Sequence, residues 1–159
     1  MQVKSRHHLR SDAVGDVERS IANALGVEVD GEQYELVEFE DDVADLVLVD
    51  GEPLVTYVDG EPFLTVRGLN AYDPDRRVVT VDAGAISFVS NGADVMRPGI
   101  LKADPDIAAG DLVGVAEQSH GKFLAVGCAL VDGEDMGGQE GRVVESLHHV
   151  GDDRYEFAP

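Results

Sequence analysis

Apolar positions near the start of the chain recur at Val14, Val17, Ile21 and Leu25, three or four residues apart. That spacing lines one face of an α-helix. Ser11 or Asp12 supplies an N-cap and Gly26 a C-terminal stop, with Gly15 as the weak point. Beyond Gly31 the period shortens, and GEQYELVEFE, ADLVLVD, PLVTYVD and PFLTVR read as strands. Asp50-Gly51 and Asp59-Gly60 lie between them, and Asp-Gly between β-branched runs is a two-residue hairpin signal. The unbroken apolar run from Leu46 to Val49 predicts an interior strand. Pro53 and Pro62 fit strand starts, where a missing donor does little harm. The pattern predicts an antiparallel meander covered on one face by the first helix.

Arg67 to Tyr72 predicts a short helix before the turn at Asp73-Pro74-Asp75, and the composition changes there. We therefore expect two domains, residues 1–75 and residues 76–159. Arg67 reads as a bridge to acids on the sheet or as part of a phosphate-facing surface, and Arg76-Arg77 as a balance for Asp73 and Asp75. The stretch VTVDAGAISFVSNGADVMRPGI, Val79 to Ile100, starts as a strand and passes through Ala83-Gly84-Ala85 into a helical turn. It breaks at Asn91-Gly92 and resumes as a strand that stops at Pro98-Gly99. So many breaks bring backbone to the surface, where N–H groups can meet a ligand because glycine has no Cβ in the way. Leu112 to Ala116, GKFLAVGCALV, RVVESLHHV and RYEF read as the short strands of a small barrel, with Gly127 marking a bend or close approach. DGEDMGGQEG reads as a mobile acidic loop. The expected class is α+β.

Charge changes this picture most. Lys and Arg total 12 against 32 Asp and Glu, a formal net charge of −20, and only Lys4, Lys102 and Lys122 are lysines. Hydrophobic residues make up 43%, enough for a folded chain, so the acids belong on its surface. The composition reads as a halophile-type cytoplasmic protein, because at 1 M salt the Debye length falls to about 3 Å and the repulsion is screened. The alternative is an acidic protein that avoids nucleic acid. Against this background MQVKSRHHLR holds Lys4, Arg6, His7, His8 and Arg10 with no acid. It reads either as a basic arm reaching a phosphate or an acidic partner, or as a positive end tucked against the protein's own acids. No run approaches the length of a membrane span or a signal peptide, so a soluble intracellular protein without membrane contact is expected.

Catalytic and metal signatures are weak. Cys128 is the single cysteine, which excludes an intrachain disulfide, and its apolar setting predicts a small buried hydrophobe. His148 and His149 are neighbours on a predicted strand and point to opposite faces, poor geometry for one metal. His7-His8 lack ligands at fixed spacing, and Ser119-His120 lacks a placed acid. The acids of the 132–141 loop do not fit an EF-hand, and no phosphate loop or dinucleotide fingerprint occurs. No cofactor or metal is expected, and the pattern argues against an enzyme.

VDAGAISFVSNGADVMRPGI, then DIAAGDLV at Asp106 to Val113, LAVGCAL and HHVGDDRYEF together resemble a PUA domain over roughly Val78 to Phe157. The helix and sheet ahead of it resemble, more loosely, the malignant T-cell-amplified-sequence translation factor family and its archaeal relatives. The resemblance implies a PUA pseudo-β-barrel that binds structured RNA, tRNA or rRNA. It further implies an accessory role at the small ribosomal subunit in translation initiation or recycling, with a protein partner on the N-terminal domain. The implied RNA surface comprises Gly84, Ala85, Phe88, Ser90, Asn91, Gly92, Ala93, Met96, Arg97, Pro98 and Lys102, with Arg154 and Tyr155 from the end of the last strand. An accessory subunit for tRNA modification of the archaeosine transglycosylase type is an alternative, as is a protein-interaction module with incidental RNA contact. The chain departs from the family in having few basic residues on that surface.

Overall fold

The computed structural model describes every residue except Asp42. Strand β1 (Val3–His8) leads into helix α1 (Ser11–Leu25), followed by β2 (Tyr34–Phe39), β3 (Leu46–Val49), β4 (Glu52–Val58) and β5 (Glu61–Leu64). The five strands form one antiparallel sheet in the order β1-β2-β3-β4-β5. Its turns are as expected: Asp50 and Gly51 have φ of 51° and 88°, Asp59 and Gly60 of 50° and 82°. Residues 1–10, read as an arm or a tucked end, place β1 at the sheet edge with Arg6 2.7 Å from Glu35.

Helix α1 keeps its predicted span but not its predicted cap. Arg10 occupies the cap position without a side-chain hydrogen bond, and Ser11 is already helical. What fixes the helix is its stripe of Val17, Ile21 and Leu25, none more than 1% exposed. Each such side chain contributes about 1.5–3 kcal/mol through burial. Gly26 ends the helix at φ 71°, its N–H bonded to Ala22 O.

After helix α2 (Val66–Tyr72), capped by the Thr65 hydroxyl, the chain builds the second sheet. It comprises β6 (Val78–Val81), helix α3 (Ile86–Ser90), β7 (Val95–Met96), β8 (Ile100–Ala103), β9 (Leu112–Glu117), β10 (Phe123–Ala129) and β11 (Arg142–His149), with α4 (Asp153–Glu156) closing the run. The six strands run in the order β7-β11-β10-β9-β6-β8 and form a nearly closed barrel, with β6 and β9 parallel. At Gly127 the pairing with β11 shifts register, and a Cβ there would stand 2.4 Å from Val144 and 2.6 Å from Glu145 O. This is the close approach the glycine predicted.

Core packing joins the two sheets. Val17, Ile21, Val47, Val49, Val55, Phe63 and Leu69 share one apolar cluster with Leu112, Ala116, Phe123 and Val126 of the barrel. The barrel interior is a second cluster around Val79, Val81, Val115, Val143 and Met136. A third covers the opposite face of the first sheet, where Phe157 packs with Val37, Phe39, Leu46 and Leu48. Its ring meets Phe39 edge-on at 5.4 Å between centroids.

Several local expectations are corrected. RYEF is not a strand: Asp152 accepts hydrogen bonds from the N–H groups of His149 and Tyr155, and this cap starts α4 instead. Among the described residues Arg67 bridges no acid on the sheet; it donates from Nε to Tyr155 O at 2.9 Å and its guanidinium lies 4.3 Å over the Tyr155 ring. Arg77 pairs with Glu61 and Asp111, and Arg76 packs its side chain over Gly26. The 132–141 loop is anchored, with Met136 fully buried. Cys128 is half-buried, and burial, reinforced by Glu145, pushes its thiol above its ordinary value.

Candidate nucleic-acid interface

Two tight turns build the surface beyond β6. Asp82 leaves the strand in extended backbone and accepts from Ala85 N through its carboxylate, starting a 3-10 turn at Ala83–Ala85 that runs into α3. The helix stops after Ser90, where Asn91 turns its amide back onto Ser87 O at 2.7 Å. Gly92 has φ 91°, and a Cβ there would lie 2.8 Å from His149 Nε2. Glycine is therefore required twice over, by conformation and by space. His149 Nδ1 faces the carbonyls of Ser90 and Val150 at 3.1 and 2.8 Å, both acceptors, so this nitrogen carries the proton. The α3 turn is thus moored to the end of β11.

The second 3-10 turn, Arg97–Gly99, returns the chain past the first, and its Gly99 abuts Ala85. Between the two turns lies a cleft of about 280 Å³ lined by Asp82, Gly84, Ala85, Phe88, Val89, Asp94, Val95, Met96, Pro98 and Gly99. Phe88 is 66% exposed and Met96 49%, the two most exposed large apolar side chains of the molecule among the described residues. No lysine or arginine lines the cleft. Asp94 accepts from Ser146 N and Arg142, which together hold its carboxyl below the usual range. The arrangement offers a flat apolar platform beside open backbone at Gly84, suited to a planar aromatic group.

The expected site residues divide into four groups. Gly84, Ala85, Phe88, Met96 and Pro98 line this cleft, with Ser90, Asn91, Gly92 and Ala93 forming the turn next to it. Arg97 is adjacent in sequence, but its guanidinium donates to Asp135 O at 3.1 Å and Glu140 O at 3.0 Å and covers Gly141, while its stem fills the space over Gly138. Lys102 stands exposed on β8 beside another cleft, of about 670 Å³, shared with Thr80, Gln118 and Phe123. Arg154 and Tyr155 lie elsewhere. Arg154 donates to Leu147 O and to Thr56 Oγ1 on the first sheet. Tyr155 lines a third cleft, of about 540 Å³, with Arg67 and Phe157. The sequence reading missed Asp82 and Asp94, although an Asp just before Ala-Gly-Ala is the usual mark of a capped turn.

Residues 77–151 match the PUA domain. An uncharacterised protein of Methanocaldococcus jannaschii is 41% identical over 114 residues, 71% of this chain and 70% of that one. The chain belongs to the PUA-domain family. The PUA module occupies the barrel, and the similarity extends into the helix and sheet ahead of it. Translation machinery-associated protein 20 of Saccharomyces cerevisiae is 30% identical over 133 residues, 79% of this chain and 73% of the yeast protein. The crystal structure of a hypothetical protein from Pyrococcus horikoshii superposes with a TM-score of 0.88 at 29% identity, covering 98% of this chain and all of the other. Membership places the chain in the RNA-binding class that the sequence resemblance implied. Among the described residues, no group of three or more His, Cys, Asp or Glu is placed to hold a metal. No described helix is long and apolar enough to cross a membrane.

Proposed function

We propose that the chain binds structured RNA, tRNA or rRNA, through the α3 cleft and acts in the cytoplasm as an accessory factor of translation initiation or ribosome recycling, at the small ribosomal subunit. The observation that carries this reading is the exposed Phe88 beside Met96, over a cleft with open backbone, in a PUA barrel. Stacking on an aromatic ring and hydrogen bonding to backbone depend less on salt than phosphate contacts do, which suits a chain of net charge −20. The yeast relative's name supports the link to translation. We take residues 1–75 and 76–159 as two domains held in one arrangement by their shared core. In this reading Gly84, Ala85, Phe88, Met96 and Pro98 contact RNA, while Arg97, Arg154 and Tyr155 hold the surrounding shape.

The test is fluorescence anisotropy of labelled tRNA at molar KCl, with the wild type against Phe88→Ala. Removing a stacking ring costs about 1–3 kcal/mol, so a loss of roughly tenfold is expected. Equal affinity would remove the α3 cleft from the proposal, and a wild type that binds no RNA would remove RNA altogether.

A further inference from the structure

The second place where the molecule departs from its own chemistry is β1. Lys4, Arg6, His7, His8 and Arg10 fall within seven residues, all of them exposed, and no acid occurs before Asp12. Elsewhere the described cations are occupied or scattered: Arg19, Arg77 and Arg142 pair with acids, while Arg67, Arg97 and Arg154 bond to carbonyls. Among the described residues strand β1 is bonded on one side only, to β2, so its outer edge carries backbone groups with no strand beside them.

Two structural roles account for part of this charge. Arg6 neutralises Glu35 at 2.7 Å. Charged side chains also guard an edge strand against pairing with another chain. Guarding explains the charge but not its sign. A chain with 32 acids could guard this edge with acids, as it dresses the rest of its surface. Lys4, His7 and His8 have no ion-pair partner among the described residues. Arg10 faces Asp12 only at 3.5 Å, with both side chains more than 70% exposed, a pairing of little worth. Like-facing residues of a strand recur roughly every 7 Å, comparable to the step between successive phosphates of a nucleic-acid strand.

We infer that β1 is a second RNA contact, a phosphate track formed by Lys4 and His8 with Arg10 just beyond the strand, His7 pointing to the other face, that binds backbone without reading sequence. This inference rests on the RNA-binding reading and adds a separate surface to it. The protein then holds RNA at two points of unlike chemistry. The α3 cleft takes an apolar or stacked contact, and β1 takes phosphates, so only β1 makes a salt-dependent contribution.

The experiment measures binding of fluorescein-labelled tRNA across a KCl series by the full chain and by Lys4→Glu, Lys4→Glu/Arg10→Glu and Arg19→Glu. Arg19→Glu changes net charge as much as Lys4→Glu but lies on α1, away from β1. Lys4→Glu should weaken binding about fivefold at the low-salt end, and the double variant further. The slope of log affinity against log salt should shrink by about 0.7–0.9 for each phosphate that β1 no longer neutralises, and Arg19→Glu should leave both unchanged. Equal effects of Lys4→Glu and Arg19→Glu would reduce the observation to bulk charge and overturn the track. So would unchanged affinity and slope in the double variant while Phe88→Ala still weakens binding. A wild type that fails to bind would instead end the RNA reading, and the track with it.

Discussion

His148 Nε2 accepts a hydrogen bond from the backbone N–H of Val66 at 3.1 Å, across 82 residues of sequence and from β11 of the barrel to the first turn of α2. The imidazole is 1% exposed, and its Nδ1 lies 2.8 Å from Asp152, the residue that caps α4. A ring that accepts at Nε2 must be neutral and protonated at Nδ1. His148 therefore links the first turn of α2 to the cap of α4 through a single tautomer. Replacing it with Phe strands the Val66 N–H and one side of the Asp152 carboxylate in a buried place. We expect His148→Phe to cost about 2 kcal/mol of unfolding free energy by urea denaturation. His148→Gln, whose Oε1 can accept from Val66, should cost less; equal losses in the two variants would refute the linkage.

The same ring makes stability sensitive to acid. Burial holds His148 below its ordinary value of 6.5, outweighing the pull of Asp152. On acidification the unfolded chain takes up this proton first, so the contribution is complete above pH 6.5 and is lost as pH falls below it. Burial raises the Asp152 carboxyl, but hydrogen bonds from His148 and from the N–H groups of His149 and Tyr155 bring it down to about 2. Its contribution is full above pH 3.8 and disappears as pH falls towards 2. Urea midpoints across pH for wild type and His148→Gln should diverge above pH 6.5 and converge below it. Parallel curves would show that another group sets the acid limb.

Arg97 is predicted to act on the 132–141 loop and to carry no phosphate. Arg97→Ala removes its bonds to Asp135 O and Glu140 O and the side chain that covers Gly138 and Gly141. Limited proteolysis should cut this loop several-fold faster in the variant, with the salt slope of tRNA binding unchanged. A smaller slope with an intact loop would return Arg97 to the RNA contacts.

Net charge of −20 predicts that salt stabilises the fold. Repulsion among the surface acids is screened as the Debye length shrinks from about 10 Å at 0.1 M to about 3 Å at 1 M. The melting temperature should rise steeply with KCl and then level off. A flat response would count against adaptation to high salt.

The local code was readable wherever one residue type has one job. Asp50-Gly51 and Asp59-Gly60 adopt positive φ as the hairpin rule requires, and the apolar run Leu46 to Val49 is buried on both faces of its sheet. Arginine was the least legible. The family resemblance implies Arg97 and Arg154 as RNA contacts, and Arg67 reads as a bridge to acids or a phosphate-facing group, yet each bonds to a carbonyl elsewhere in the chain, at Asp135, Leu147 and Tyr155. A guanidinium has five donors, and nothing local says whether carbonyls or phosphates will take them. Likewise α4 replaced the strand expected at Arg154–Phe157 because Asp152, already fixed by His148, cap-bonds Tyr155 N. That outcome depended on a histidine whose partner lies in α2.

The docking of Phe157 against Phe39 also sets an order of events during synthesis. The ribosome delivers the five strands of the first sheet long before it delivers residue 157. Val37, Phe39, Leu46 and Leu48 therefore face water on the nascent chain until the tail emerges. The first half can draw its meander early but completes its packing last, after the barrel has been made.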